Sequence, residues 1–125
     1  MKFTFILFCL GFLNIGFSQV IQEKEPPENI KTIVFKSENE TDQFPIVKLG
    51  QALQLSFDDL YADEMDYYYR IVYCNYDWTP SRLLKSQYLD GIDNQRIADY
   101  ANSLTTLQPY TNYQLQLPNA QTKFK

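Results

Sequence analysis

From Leu107 to Leu117 the chain reads L-x-P-x-T-x-Y-x-L-x-L, with Leu107, Pro109, Thr111, Tyr113, Leu115 and Leu117 at every second position. Side chains two residues apart share one face of a strand but not of a helix, so this segment is extended and buried on one side. The same period recurs upstream, where Leu53, Leu55 and Phe57 alternate with Gln54, Ser56 and Asp58, and where Ile33 and Phe35 oppose Lys36. From Asn29 onward no stretch sustains the 3.6-residue apolar repeat of a helix. Between these strands, Tyr67, Tyr69, Ile71 and Tyr73 fill one face while Val72 and Cys74 occupy the other. Apolar content on both faces predicts a central strand over Tyr67 to Asn75. Turn signals fall at Leu49-Gly50, in the acidic stretch Asp58 to Asp66, at Thr79-Pro80, at Asp90-Gly91 and at Asp93-Asn94. Arg82 to Leu89 and Arg96 to Asn102 each fit a short strand or a helical turn. Short strands separated by turns predict an all-β sandwich.

At the C-terminal pattern, Pro109 is expected to end one strand, the chain to cross between sheets, and Tyr113 to open the next strand. Its ring then points inward and its hydroxyl bonds back to nearby backbone, as in the tyrosine corner of Greek-key sandwiches. The pattern resembles the fibronectin type III signature at the E to F crossing, with Tyr69, Ile71 and Tyr73 as strand C and Phe57 in strand B. If Tyr113 opens strand F, only Ala120 to Lys125 remain for strand G. The fibronectin III or immunoglobulin-like sandwich is therefore expected to lack its last strand, as a truncated piece of a longer parent.

Met1 to Ser18 carries Lys2 as its only charge and an apolar run from Phe3 to Phe17. A helix of that run covers roughly 22 Å, short of the ~30 Å hydrocarbon core. The segment reads as a secretory signal peptide, with Gly16 and Ser18 as the small residues before a cleavage site and Gln19 as the first mature residue. A lipoprotein leader needs a small residue before Cys9, and Phe8 stands there. Residues 19–29, with Glu23, Lys24, Glu25, Pro26, Pro27 and Glu28, have linker composition. The folded domain is placed at residues 30–125.

Several chemistries lack their residues. The chain has no histidine, so it builds neither a Ser/His/Asp triad nor an imidazole zinc site. With Cys9 in the leader, Cys74 is the single mature thiol, and it is expected in the core with Trp78 closing the end of its strand. Fifteen acidic against eleven basic residues give a net charge of -4 without a Lys/Arg cluster, which argues against nucleic-acid and polybasic membrane binding. Asp58, Asp59, Asp63, Glu64 and Asp66 form an acidic run, but the D-x-[DN]-x-[DN]-G spacing of a calcium loop is absent. They read as a solvated loop, and with Asp90 and Asp93 of the second turn they are the candidate partner-contact residues. No catalytic residue, cofactor or metal is expected. Tyr69, Cys74, Trp78 and Tyr113 are read as structural, and most of the tyrosines from Tyr67 to Tyr76 as core. Asn39-Glu40-Thr41 has the glycosylation acceptor pattern.

Taken together, ENIKTIVFKS from Glu28, FPIVKLGQALQLSFDDL from Phe44, DYYYRIVYCNYDW from Asp66 and YLDGIDN from Tyr88 resemble the first domain of the type IX secretion system plug protein of Bacteroidetes. That resemblance implies an exported, non-catalytic periplasmic component that closes the periplasmic opening of the outer-membrane translocon barrel. Its partner is then the barrel itself, with no insertion into the membrane. The other reading, from the aromatic excess and the export signal, is a carbohydrate-binding or accessory module of a secreted enzyme.

Overall fold

The computed structural model describes residues 20–38, 44–92 and 94–125. The leader, the Asn39 to Thr41 pattern and Asp93 lie outside the described residues. The elements are β1 (Ile30–Ser37), β2 (Leu53–Asp59), β3 (Tyr68–Tyr69), α1 (Lys85–Tyr88), β4 (Leu89–Gly91), β5 (Gln95–Arg96), β6 (Asp99–Asn102), β7 (Thr111–Leu117) and β8 (Thr122–Phe124). Among the described residues no helix is long and apolar enough to cross a membrane.

The period-two segments form the larger sheet, antiparallel throughout, in the order β1-β2-β7-β6. In β7 the alternation is fully expressed: Thr111, Tyr113, Leu115 and Leu117 are buried, while Gln114 and Gln116 face water. Phe57 of β2 lies opposite Tyr113, and Leu55 opposite Leu115. Two short ladders, β3 with β5 and β4 with β8, lie outside this sheet. The core forms where Ile30, Phe57, Ile97, Tyr113, Leu115 and Leu117 meet Tyr67, Tyr69, Ile71 and Phe124. The fold is thus an all-β sandwich, and among the described residues only α1, a single turn, is helical. Arg82 to Leu89 resolves into that turn and the start of β4, and Arg96 to Asn102 into the end of β5 and all of β6.

Several expectations are corrected. β6 and β7 are hydrogen-bonded neighbours joined by the 103–110 loop, so Pro109 does not carry the chain between sheets. In immunoglobulin constant-type sandwiches one layer runs A-B-E-D. The order β1-β2-β7-β6 has that connectivity, which puts β7 in the E position rather than F. Tyr113 still buries its ring, 1 % exposed, but its hydroxyl donates to the Met65 carbonyl at 2.9 Å, far upstream, instead of to adjacent backbone. Alternation dictates which way a side chain points, whereas the neighbouring strand is chosen by pairing.

The central strand over Tyr67 to Asn75 is reduced to β3 and one isolated bridge, Cys74 to Pro80, because its other residues have no ladder neighbour among the described residues. Asp90-Gly91 is not a turn but part of β4, paired with β8. Gly91 has φ +117°, and a Cβ there would lie 1.8 Å from the Gln121 carbonyl oxygen. Only glycine permits that approach.

Candidate functional site

The acidic run does not form one solvated patch. Extending the Leu53, Leu55, Phe57 alternation by two residues reaches Asp59, so this carboxylate points into the core and is 0 % exposed. It is satisfied there: Asn29 Nδ2 donates to Oδ1 at 2.8 Å, the Tyr61 N–H to Oδ1 at 3.0 Å, and the Tyr67 hydroxyl to Oδ2 at 2.8 Å. Burial pushes the Asp59 carboxyl upward, but the three hydrogen bonds stabilise its charged form and hold it below the ordinary 3.8. The Tyr67 phenol is pushed up to about 12, by burial first and then by its bond to the Asp59 charge. Tyr113 is also raised, by burial and by the surrounding acidic groups.

This centre is wrapped in aromatic rings. Phe57 stacks on Tyr113 at 5.2 Å between centroids, and Tyr67 meets both rings edge-on, at 5.2 and 4.9 Å. Edge-on and offset pairs align a ring's positive rim with another's negative face. The arrangement is a structural joint between β2, β7 and the segment leading into β3.

The other acidic residues divide. Asp58 accepts from Asn112 Nδ2 of β7 at 2.7 Å, and Glu64 accepts from the Tyr100 hydroxyl and from Asn102 Nδ2 of β6. Asp66 pairs with Arg96 of β5 at 2.6 Å, both about half exposed, so the pair adds little stability. Asp63 is exposed. Asp90 is exposed and lies opposite Lys123. The acidic run leaves β2 at the Thr111 end of β7, whereas Asp90 is held by β8, which follows the Leu117 end. The two candidate contact loops are therefore not brought together. No group of three or more metal-ligating side chains occurs among the described residues.

The structural residues also divide. Tyr69 is half-buried; its hydroxyl bonds Thr122 Oγ1 at 3.0 Å and accepts from Asn119 Nδ2 at 3.1 Å. Cys74 is half-buried rather than in the core. Trp78 is 67 % exposed, which corrects its placement as a core lid.

Trp78 sits near the tip of a hairpin. Its N–H donates to the Asn75 carbonyl, the Asn75 N–H donates to the Thr79 carbonyl, and the Asp77 carboxylate accepts from both the N–H and the hydroxyl of Thr79. These bonds hold Trp78 at φ +60°, which is uncommon for a bulky residue. Tyr76 beside it is wholly exposed. Tyr68 and Tyr73 also face solvent, so more of the tyrosines point outward than their spacing predicts. The missed signal was the N-x-D-x-T turn of Asn75, Asp77 and Thr79, which places Tyr76 and Trp78 on the tip.

Residues 30–125 match a family model described as type 9 secretion system plug protein, first domain. Among solved structures, the chain is similar to a hypothetical protein from Parabacteroides merdae, at 38 % identity and a TM-score of 0.74. The match covers 79 % of this chain and 25 % of that one, so the chain spans about a quarter of the solved protein's length. No curated protein matches.

Proposed function

The chain belongs to the first-domain family of type 9 secretion system plug proteins, and we propose that it serves, within a longer protein, as a non-catalytic periplasmic part of that system. In this reading the parent protein rests against the periplasmic opening of the outer-membrane translocon barrel and closes it between export events. The family match over residues 30–125 carries the reading. The structure supports a rigid, contact-making role: the Asp59 joint ties β2 to the entry of β1 and to the segment leading into β3, and the hairpin tip presents Tyr76 and Trp78 as exposed rings. Large aromatics with a polar edge are the usual anchors of protein contacts. Asp59 supplies no contact surface, and the exposed acidic side chains, Asp63 foremost, line the rim.

Affinity purification of the translocon barrel, from cells with and without the parent gene, tests this. The parent copurifies, Trp78→Ala with Tyr76→Ala weakens the association, and deleting the gene makes the outer membrane leakier when the barrel's other partners are absent. A parent that never copurifies, together with an unchanged membrane, overturns the proposal. Binding to a glycan array in its place would favour the accessory-module reading.

A further inference from the structure

A cleft of about 910 Å³ lies where residues 20–24, the Arg70 to Val72 stretch, Pro80 and α1 come together. Its lining is one-sided in charge. Lys24, Arg70 and Lys85 supply cations, Gln22 and Tyr88 supply uncharged polar groups, and among the described residues no carboxylate takes part. The chain as a whole is acidic, with fifteen acidic against eleven basic residues. Lys24, Arg70 and Lys85 are far apart in sequence, so the cluster exists only in the folded chain.

Local geometry sorts these side chains. Residues two apart in an extended chain share a side, so Arg70 and Val72 enter the cleft together. Residues three apart in a helix share a face, and Lys85 and Tyr88 at the two ends of α1 do the same. Lys24 lines this cleft, whereas Glu23 beside it lines a neighbouring one with Trp78. The walls are tied down on each side. The Ile21 N–H donates to the Trp78 carbonyl at 3.0 Å, the Ser81 N–H to the Tyr73 carbonyl at 2.9 Å, and the Lys125 N–H to the Tyr88 carbonyl at 3.1 Å. The Tyr88 ring lies 5.5 Å from that of Tyr73 between centroids, which packs α1 onto the hairpin. Among the described residues neither the Lys24 ammonium nor the Arg70 guanidinium makes a hydrogen bond or an ion pair.

Like charges gathered on one cleft wall raise the local positive potential and draw an anion. The volume falls in the range of small-molecule sites, about 300 to 1,000 Å³. A phosphate ester presents enough acceptor oxygens to meet all the cations at once, where a carboxylate presents fewer. The rest of the wall is apolar, from Ile21, Val72 and Pro80, with Val72 and Tyr88 half-buried. We propose that this cleft binds the phosphate monoester of a small organic molecule, its anion held by Lys24, Arg70 and Lys85 and its organic part resting on Val72, Pro80 and the Tyr88 ring. A phosphate carried on a lipid headgroup offers the same chemistry. This inference is independent of the translocon reading.

Hexyl phosphate, inorganic phosphate and hexanol are titrated separately into the purified chain while amide resonances are followed residue by residue. Hexyl phosphate moves the Arg70, Val72, Lys85 and Tyr88 amides to saturation, inorganic phosphate moves the same amides with weaker affinity, and hexanol leaves them in place. Arg70→Gln with Lys24→Gln changes two exposed side chains, so it keeps the fold, checked by unchanged β2 and β7 amides, and weakens hexyl phosphate binding by about tenfold or more. Each single change gives part of that loss. Phosphatidylcholine vesicles with and without phosphatidic acid separate the sources. Sedimentation with the phosphatidic acid vesicles alone, lost in the double variant, assigns the phosphate to a lipid headgroup; hexyl phosphate binding without sedimentation assigns it to a soluble ester. The proposal is overturned if hexyl phosphate does not move these amides, if it binds no tighter than inorganic phosphate, if hexanol moves them as far, or if binding survives the double variant unchanged.

Discussion

Asp59 concentrates three hydrogen bonds on a carboxylate that solvent does not reach, and each donor comes from a different part of the chain. Removing the acceptor leaves Asn29, the Tyr61 N–H and the Tyr67 hydroxyl unmatched in a buried setting. Asp59→Ala is therefore expected to cost about 3 kcal/mol in urea unfolding, and Asp59→Asn less, because the amide oxygen still accepts. A loss below about 0.5 kcal/mol would class it with ordinary surface changes. Tyr67 carries the complementary signature. Its phenol stays protonated in the folded chain up to about 12, while in the unfolded chain it ionises near the ordinary 10.0. The folded state then binds more protons over that interval, so the contribution of Tyr67 is complete below 10 and declines as pH rises toward 12. In a tyrosinate absorbance titration the wild type shows a late phase that Tyr67→Phe reduces by one phenol, because Tyr113, also raised, still titrates late.

The elements differ in how directly their sequence specifies them. In β7 one strong period and flanking polar residues agree, and the strand appears as expected. β1 is as apolar, but it lies at the sheet edge, with a register shift between Lys31 and Val34 and Thr32 at φ 53°, so its side chains from Lys31 to Phe35 stay exposed while Ile30 and Ser37 at its ends are buried. The three-pair ladder of β4 with β8 brings the Gly91 backbone close against Gln121. Gly91→Ala places a Cβ in the Gln121 carbonyl and strains a positive φ, at an expected cost of about 3 kcal/mol. Hydrogen exchange checks where that cost falls. The Ile92 and Lys125 amides, which bond Gln121 and Tyr88, lose protection, while β2 and β7 keep theirs. Equal loss throughout would show the β4 and β8 ladder to be part of one cooperative unit with the larger sheet.

Across the whole molecule the Asp59 joint couples the entry to β1, the end of β2 and the approach to β3. Because its folded value lies below the ordinary 3.8, its contribution is complete above that pH and is lost as pH falls through the folded value. Acid unfolding followed by circular dichroism should begin below about pH 4 and shift toward lower pH relative to neutral-pH stability when Asp59 is replaced by Asn. An unchanged acid midpoint in Asp59→Asn would separate the joint from acid sensitivity. The β class and the strands at Leu53 to Phe57 and Thr111 to Leu117 followed from the sequence alone, because a period of two in apolar residues is a local property that only a half-buried strand satisfies. The sequence motifs also pointed to the family that the comparison then showed. Tertiary structure decided which strands are neighbours, moving Tyr113 from a crossing to a hairpin partner of β6. It also turned Asp59 from a loop contact into a buried joint and Trp78 from a core lid into an exposed tip. These outcomes depend on hydrogen-bond partners distant in sequence, such as Tyr67 for Asp59 and Met65 for Tyr113, and local patterning carries no information about them.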